Sequence, residues 1–135
     1  MTVSDSSLKS LLASSKTIAV VGCSQNPEKP GNFVPAFLQS KGYRIIPINP
    51  NDLEILGEKC LKSVSELKQG IDIVSVFRPG EECEAIVKEG VKLKPKIVWL
   101  QEGIESKEAE KIVEIAGIPF VQNKCMMKEF KRLFP

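Results

Sequence analysis

Five short runs of apolar, largely β-branched residues set the limits on how this chain folds. TIAVVG occupies residues 17–22, RIIPI 44–48, IDIVSVF 71–77, KIVWL 96–100 and IPFVQ 118–122. Each is shorter than a typical helix and apolar at nearly every position, the pattern of a strand covered on both faces. Between the runs the period changes to that of a helix. Val34, Phe37 and Leu38 share one helical face, with Pro35 read as part of the first turn. Cys83, Ile86, Val87, Gly90 and Val91 form a full apolar stripe. Ala109, Ile112, Val113 and Ala116 repeat it, with Ser106 as N-cap and Gly117 as stop. Ser63-Val64-Ser65-Glu66 has the form of a capping box opening a short helix that carries Val64 and Leu67. Leu8, Leu11 and Leu12 predict a first helix, and Met126, Phe130, Leu133 and Phe134 a last one.

Alternating strands and helices, joined by right-handed crossovers, give an α/β fold: a doubly wound parallel sheet of five strands with helices on both faces. The strand order expected is 3-2-1-4-5, a Rossmann-like half-fold. The 135 residues suffice for one domain with a single core. That domain is read over residues 1–135, with an N-terminal helix within 1–15 and the sheet from residue 16 onward. Hydrophobic residues at 42% and charged residues at 27% fit a soluble globular protein. No apolar run reaches membrane-spanning length, and the first fifteen residues lack the form of a signal peptide, so the expected location is the cytoplasm. A net charge of +2 spread over interspersed acids and bases marks neither a nucleic-acid nor a membrane surface. Histidine is absent, which removes the commonest metal ligand and the commonest general base. Cys23, Cys60, Cys83 and Cys125 are scattered without a C-x-x-C pair, so free thiols are expected and metal-ligand spacing is missing.

Sheets of this kind bind ligands beyond the carboxyl ends of their strands. After the first strand, Gly22-Cys23-Ser24-Gln25-Asn26 leads through Lys29 to the helix near Asn32. Backbone N–H groups around Gly22 to Gln25, the Ser24 hydroxyl and the Lys29 ammonium can hold a phosphate ahead of a helix N-terminus. Neither the G-x-G-x-x-G of dinucleotide enzymes nor the G-x-x-x-x-G-K-[ST] of triphosphatases is present. After the second strand, Asn49-Pro50 stands where a dinucleotide enzyme carries an acidic residue for the ribose hydroxyls, and Lys59 follows as a further candidate cation. Phe77-Arg78-Pro79 closes the third strand, offering a ring cover and a cation. Gln101-Glu102-Gly103 closes the fourth, and Asn123-Lys124-Cys125 the fifth.

Taken together, VVGCSQNPEKPGN, PINPN, GEKCLKSVSEL, VSVFRP, VWLQEGI and the late NKC resemble the stand-alone CoA-binding domain family, over about Lys16 to Glu129. The QEGI turn is also similar to the matching turn in the CoA-binding domain of the succinyl-CoA synthetase α subunit. The resemblance implies coenzyme A, free or acylated, as the ligand. It would place Gly22, Cys23, Ser24 and Gln25, with Asn26, Lys29 and Asn32 in the same loop, around the diphosphate. Asn49, Pro50, Phe77, Arg78 and Pro79 would flank the adenosine, and Gln101, Glu102 and Gly103 the pantetheine arm. The synthetase works through a phosphorylated histidine on a second domain; this chain has no histidine, so binding rather than catalysis is the expectation. Cys23, inside the proposed cradle, and Cys125, after the fifth strand at the same sheet edge, are candidates for a mixed disulfide should the CoA thiol reach either, with Cys125, at the start of the last helix, the sharper one. A small NAD(P)-dependent oxidoreductase, with Tyr43 or a lysine moving the proton, and an interaction module without nucleotide are the alternatives. A homodimer or a protein partner is left open.

Overall fold

In the computed structural model, which describes residues 3–68 and 70–135, strand burial sorts the sheet from its centre outward. The main-sheet strands are β1 (Thr17–Val21), β2 (Arg44–Ile48), β5 (Ile73–Val76), β6 (Ile97–Leu100) and β7 (Phe120–Val121). A small antiparallel hairpin, β3 (Glu54–Ile55) with β4 (Glu58–Lys59), stands apart from them. All five main strands are parallel, in the order β2-β1-β5-β6-β7. Every residue of β5 and β6 is buried, whereas β2 exposes Arg44 and β7 is two residues long.

This is the expected α/β class with helices on both faces, but the order of the five strands is 2-1-3-4-5 rather than 3-2-1-4-5. Pro47 explains the difference. Its carbonyl accepts the Leu61 N–H (2.9 Å) on the outer side of β2, so its donor-less nitrogen faces the same way. A proline there suits an edge and not an interior strand. Leu61 in turn accepts from Asn49 N–H (2.9 Å), and the chain from β2 passes back across β1 to lay the fully buried β5 at the sheet's centre.

One layer holds α1 (Asp5–Ser14), α2 (Pro30–Ser40) and α5 (Met126–Leu133), whose Leu8, Leu12, Val34, Leu38, Met126 and Leu133 pack on Ile18, Val20, Ile45 and Trp99. The other holds α3 (Gly80–Gly90) and α4 (Lys107–Ile115), with Cys83, Val87, Ala109 and Val113 against Ala19, Val74, Val76 and Val98. Ser106 caps α4 as expected, its Oγ accepting the Ala109 N–H at 3.0 Å. Two local expectations change. Residues 64–66 form a single 3-10 turn, because the Glu66 carboxylate accepts the Lys62 N–H (2.9 Å) and Ser63 Oγ bonds Ser65 Oγ (2.6 Å) instead of closing a box. α2 begins at Pro30, so Pro35 lies in its second turn, where it cannot donate to the Gly31 carbonyl. That carbonyl accepts the Ser24 N–H instead, at 3.1 Å, and so ties the loop after β1 to the helix that follows. Among the described residues no helix is long and apolar enough to cross a membrane.

Candidate functional site

The crossover leaving β1 runs to one side, towards β2, and the one leaving β5 runs to the other, towards β6. Between β1 and β5 the connections part, and a crevice opens at the carboxyl ends. A cleft of ≈ 820 Å³ lies there. Gly22, Cys23, Ser24 and Lys29 line it, with Asn49, Pro50, Phe77, Arg78, Gln101, Glu102 and Cys125. Eleven of the predicted site residues thus converge from five separate segments.

The loop after β1 is shaped by close backbone approach. Gly22 has φ +84°, and a Cβ on it would stand 2.9 Å from both Arg78 Cδ and the Phe77 carbonyl oxygen. A Cβ on Gly31 would stand 3.0 Å from the Gly22 carbonyl oxygen. Several loop donors are already engaged: Gly22 N–H to Ile48 (3.1 Å), Ser24 N–H to Gly31 (3.1 Å) and Asn26 N–H to Ser24 Oγ (3.0 Å). The N–H groups of Cys23, Gln25 and Gly31 have no partner among the described residues, and Cys23 and Gly31 line the cleft. With the N-terminal end of α2 behind them, they form a seat for an anion. Within the run Gly22 to Gln25 the free N–H groups are thus those of Cys23 and Gln25, and Gly31 adds one more at the cleft.

Other predicted residues hold the walls. Asn32, buried, donates from Nδ2 to the Ser24 carbonyl (2.7 Å), and Gln25 Nε2 donates to the Glu54 carbonyl (3.0 Å). Asn26 Oδ1 accepts the Glu28 N–H at 2.9 Å. Asn49 is engaged at both ends: Nδ2 donates to the Cys23 carbonyl (2.9 Å) and Oδ1 accepts the Asn51 N–H (2.8 Å). Pro79 caps α3, and Gly103, with φ +88°, donates to Asn123 Oδ1 (2.7 Å); neither lines the cleft. Gln101 is 2% exposed. Its Nε2 donates to Ser75 Oγ (2.9 Å), and its Oε1 accepts the Met126 N–H (3.0 Å), bolting the start of α5 to the sheet.

Arg78 is gripped by Glu82, Nε to Oε1 at 3.0 Å and Nη2 to Oε2 at 2.8 Å, which holds the Glu82 carboxyl below its ordinary range. Glu102 pairs with Lys128 at 2.9 Å. The cysteines divide. Cys23 is 1% exposed, and burial pushes its thiol up to about 12, so it stays protonated and inert. Cys125 is half-buried and opens on the cleft. Tyr43 is in the core, its hydroxyl donating to the Leu12 carbonyl at 2.6 Å, and is not poised to move a substrate proton. Lys59 is exposed on β4 opposite Glu54 and does not reach the cleft.

Sequence reasoning missed Gly31, Asn51, Lys62, Ser63, Val64, Glu82, Ile86, Met127 and Lys128. Glu82 had a readable signal, its i,i+4 spacing from Arg78. Lys62 and Ser63 lie in the GEKCLKSVSEL motif, but their approach to β2 had no local signal, because the chain that brings them there is neither helix nor strand of the main sheet.

The CoA binding domain family matches residues 16–131 of this sequence. The chain belongs to that family. The CoA-binding domain is 35% identical to the protein YneT of Bacillus subtilis over 91% of each chain. It is 29% identical to an ADP-forming acetate–CoA ligase of Archaeoglobus fulgidus, matching 82% of this chain but only 18% of the ligase. Among solved structures, that of cell-free ID.343 from Thermus thermophilus superposes with a TM-score of 0.93 at 42% identity, covering 98% of this chain and 100% of that one. The part of the ligase that matches is thus a small fraction of its length, whereas the Thermus thermophilus structure shares the fold over its whole length.

Proposed function

We propose that this domain binds coenzyme A, free or acylated, without transforming it. The observation that carries the reading is the seat at the β1–β5 switch point, where the unpartnered N–H groups of Cys23 and Gly31 meet the N-terminus of α2 beside Lys29. Such a seat suits the CoA diphosphate. Asn49, Pro50 and Phe77 then flank the adenosine, and the cleft towards Gln101, Glu102 and Cys125 takes the pantetheine arm. Asn49 is engaged at both ends of its side chain, which argues against the ribose grip of an NAD enzyme. The absence of histidine and the engaged Tyr43 argue against proton-transfer chemistry at this site.

Native mass spectrometry of the purified protein, with CoA and NAD added in turn, tests the reading. A CoA adduct and none with NAD is the expected result, and Arg78→Ala should weaken that adduct. Uptake of NAD in preference to CoA, or of neither, would overturn it.

A further inference from the structure

Coenzyme A carries its charge in two places, the diphosphate and the phosphate on the ribose 3′ oxygen. A site that reads the whole molecule needs a second cation, away from the diphosphate seat. Four cations line the cleft: Lys29, Lys62, Arg78 and Lys128. Arg78 and Lys128 are paired with Glu82 and Glu102, and Lys29 stands beside the seat at the start of α2. Lys62 stands on the other flank, past the end of β2.

The local structure leaves its ammonium free for an anion. Leu61, hydrogen-bonded to Pro47 and Asn49, fixes this segment against the outer edge of β2. Of the two acids nearest in sequence, Glu58 and Glu66, the second is engaged with the Lys62 backbone N–H at 2.9 Å and neither pairs with the ammonium. The Nζ donates to the Pro50 carbonyl at 3.2 Å, and no carboxylate among the described residues pairs with it. An ammonium has three N–H donors, so two remain. Ser63 adds a hydroxyl beside it, and Val64 and Ile86, from the layer of α3, give the cleft an apolar wall suited to a purine. Lys62 and the Pro50 carbonyl that holds its Nζ line the same cleft as that wall and the free N–H groups of Cys23 and Gly31.

We propose that Lys62 binds the 3′-phosphate of coenzyme A and sets the preference of this site for CoA over nucleotides lacking that group, an assignment that rests on the CoA reading above. Calorimetric titration with CoA and with 3′-dephospho-CoA tests it. The wild-type protein should prefer CoA by about tenfold, the worth of one charge-assisted hydrogen-bonded contact. Lys62→Gln keeps an N–H donor, on a chain one atom shorter, but removes the charge. It should lose that preference by weakening CoA about tenfold and leaving 3′-dephospho-CoA unchanged, whereas Lys29→Gln should weaken both ligands alike. Equal affinity of the wild-type protein for the two ligands, or a Lys62→Gln variant that weakens both equally or keeps the preference, would overturn the assignment while leaving CoA binding standing. Binding of neither ligand by the wild-type protein would overturn both.

Discussion

At Gly22 the backbone takes φ +84° while the Phe77 carbonyl and the Arg78 side chain press against the place a Cβ would fill. Gly103 has nearly the same backbone, φ +88°, with nothing within 4 Å of its absent Cβ. The pair separates two reasons for a glycine. Gly103→Ala should cost only the left-handed backbone, about 1 kcal/mol, with CoA binding kept. Gly22→Val adds a branched side chain in a filled space and should cost about 2–4 kcal/mol by urea unfolding, with CoA binding lost even where the protein is folded. A folded Gly22→Val protein that bound CoA normally would show that the anion seat lies elsewhere. Gly22 was legible in the sequence as the end of a strand feeding a loop. Its nearest constraint was not, because the atoms that exclude a side chain come from residues 77 and 78, more than fifty positions away.

Single hydrogen-bonding side chains join the elements around the cleft. Gln101, at the end of β6, connects Ser75 in the middle of β5 to the first N–H of α5, all of it buried. Gln101→Leu fills a similar volume but leaves a hydroxyl and an amide unpaired in the core. At about 1–3 kcal/mol for each of the two unsatisfied buried groups, the variant should lose about 2–6 kcal/mol of stability in urea. It should also bind CoA more weakly, since the wall formed by Cys125, Met127 and Lys128 would loosen. A loss below about 1 kcal/mol would mean that α5 is held by its apolar face alone. The sequence marked Gln101 as polar at a strand end and so as a candidate ligand contact; that its amide faces inward depends on Ser75, which looked like an interruption in an apolar run. Strand existence was legible throughout, because burial on both faces writes itself as continuous hydrophobicity. Strand order was not taken from Pro47, although proline in RIIPI marks an edge. The 3-10 turn at Val64–Glu66 was hidden because Glu66 caps one residue earlier than the box pattern requires.

On the scale of the molecule, the cleft crosses the carboxyl edge of the sheet from one helical layer to the other. Phe33, Val34 and Met127 come from the layer of α1, α2 and α5, while Val64, Glu82 and Ile86 come from the side of α3. A ligand that fills it touches both layers at once and binds only the folded state. At a hundredfold excess over its dissociation constant, such a ligand adds about 2.7 kcal/mol to stability. Where that protection falls distinguishes a filled cleft from a half-filled one. Hydrogen exchange with and without CoA should slow at 22–32, 49–51, 62–64, 77–82, 101–103 and 125–128 together. Helices α1 and α4, which contribute nothing to the cleft, should exchange as before. Protection confined to 22–32 would mean that only the diphosphate seat is used and that the ligand is a smaller phosphate compound. Protection reaching 125–128 but not 62–64 would place the pantetheine arm and leave the adenosine in solvent, against the apolar wall that Val64 and Ile86 offer at that end of the cleft.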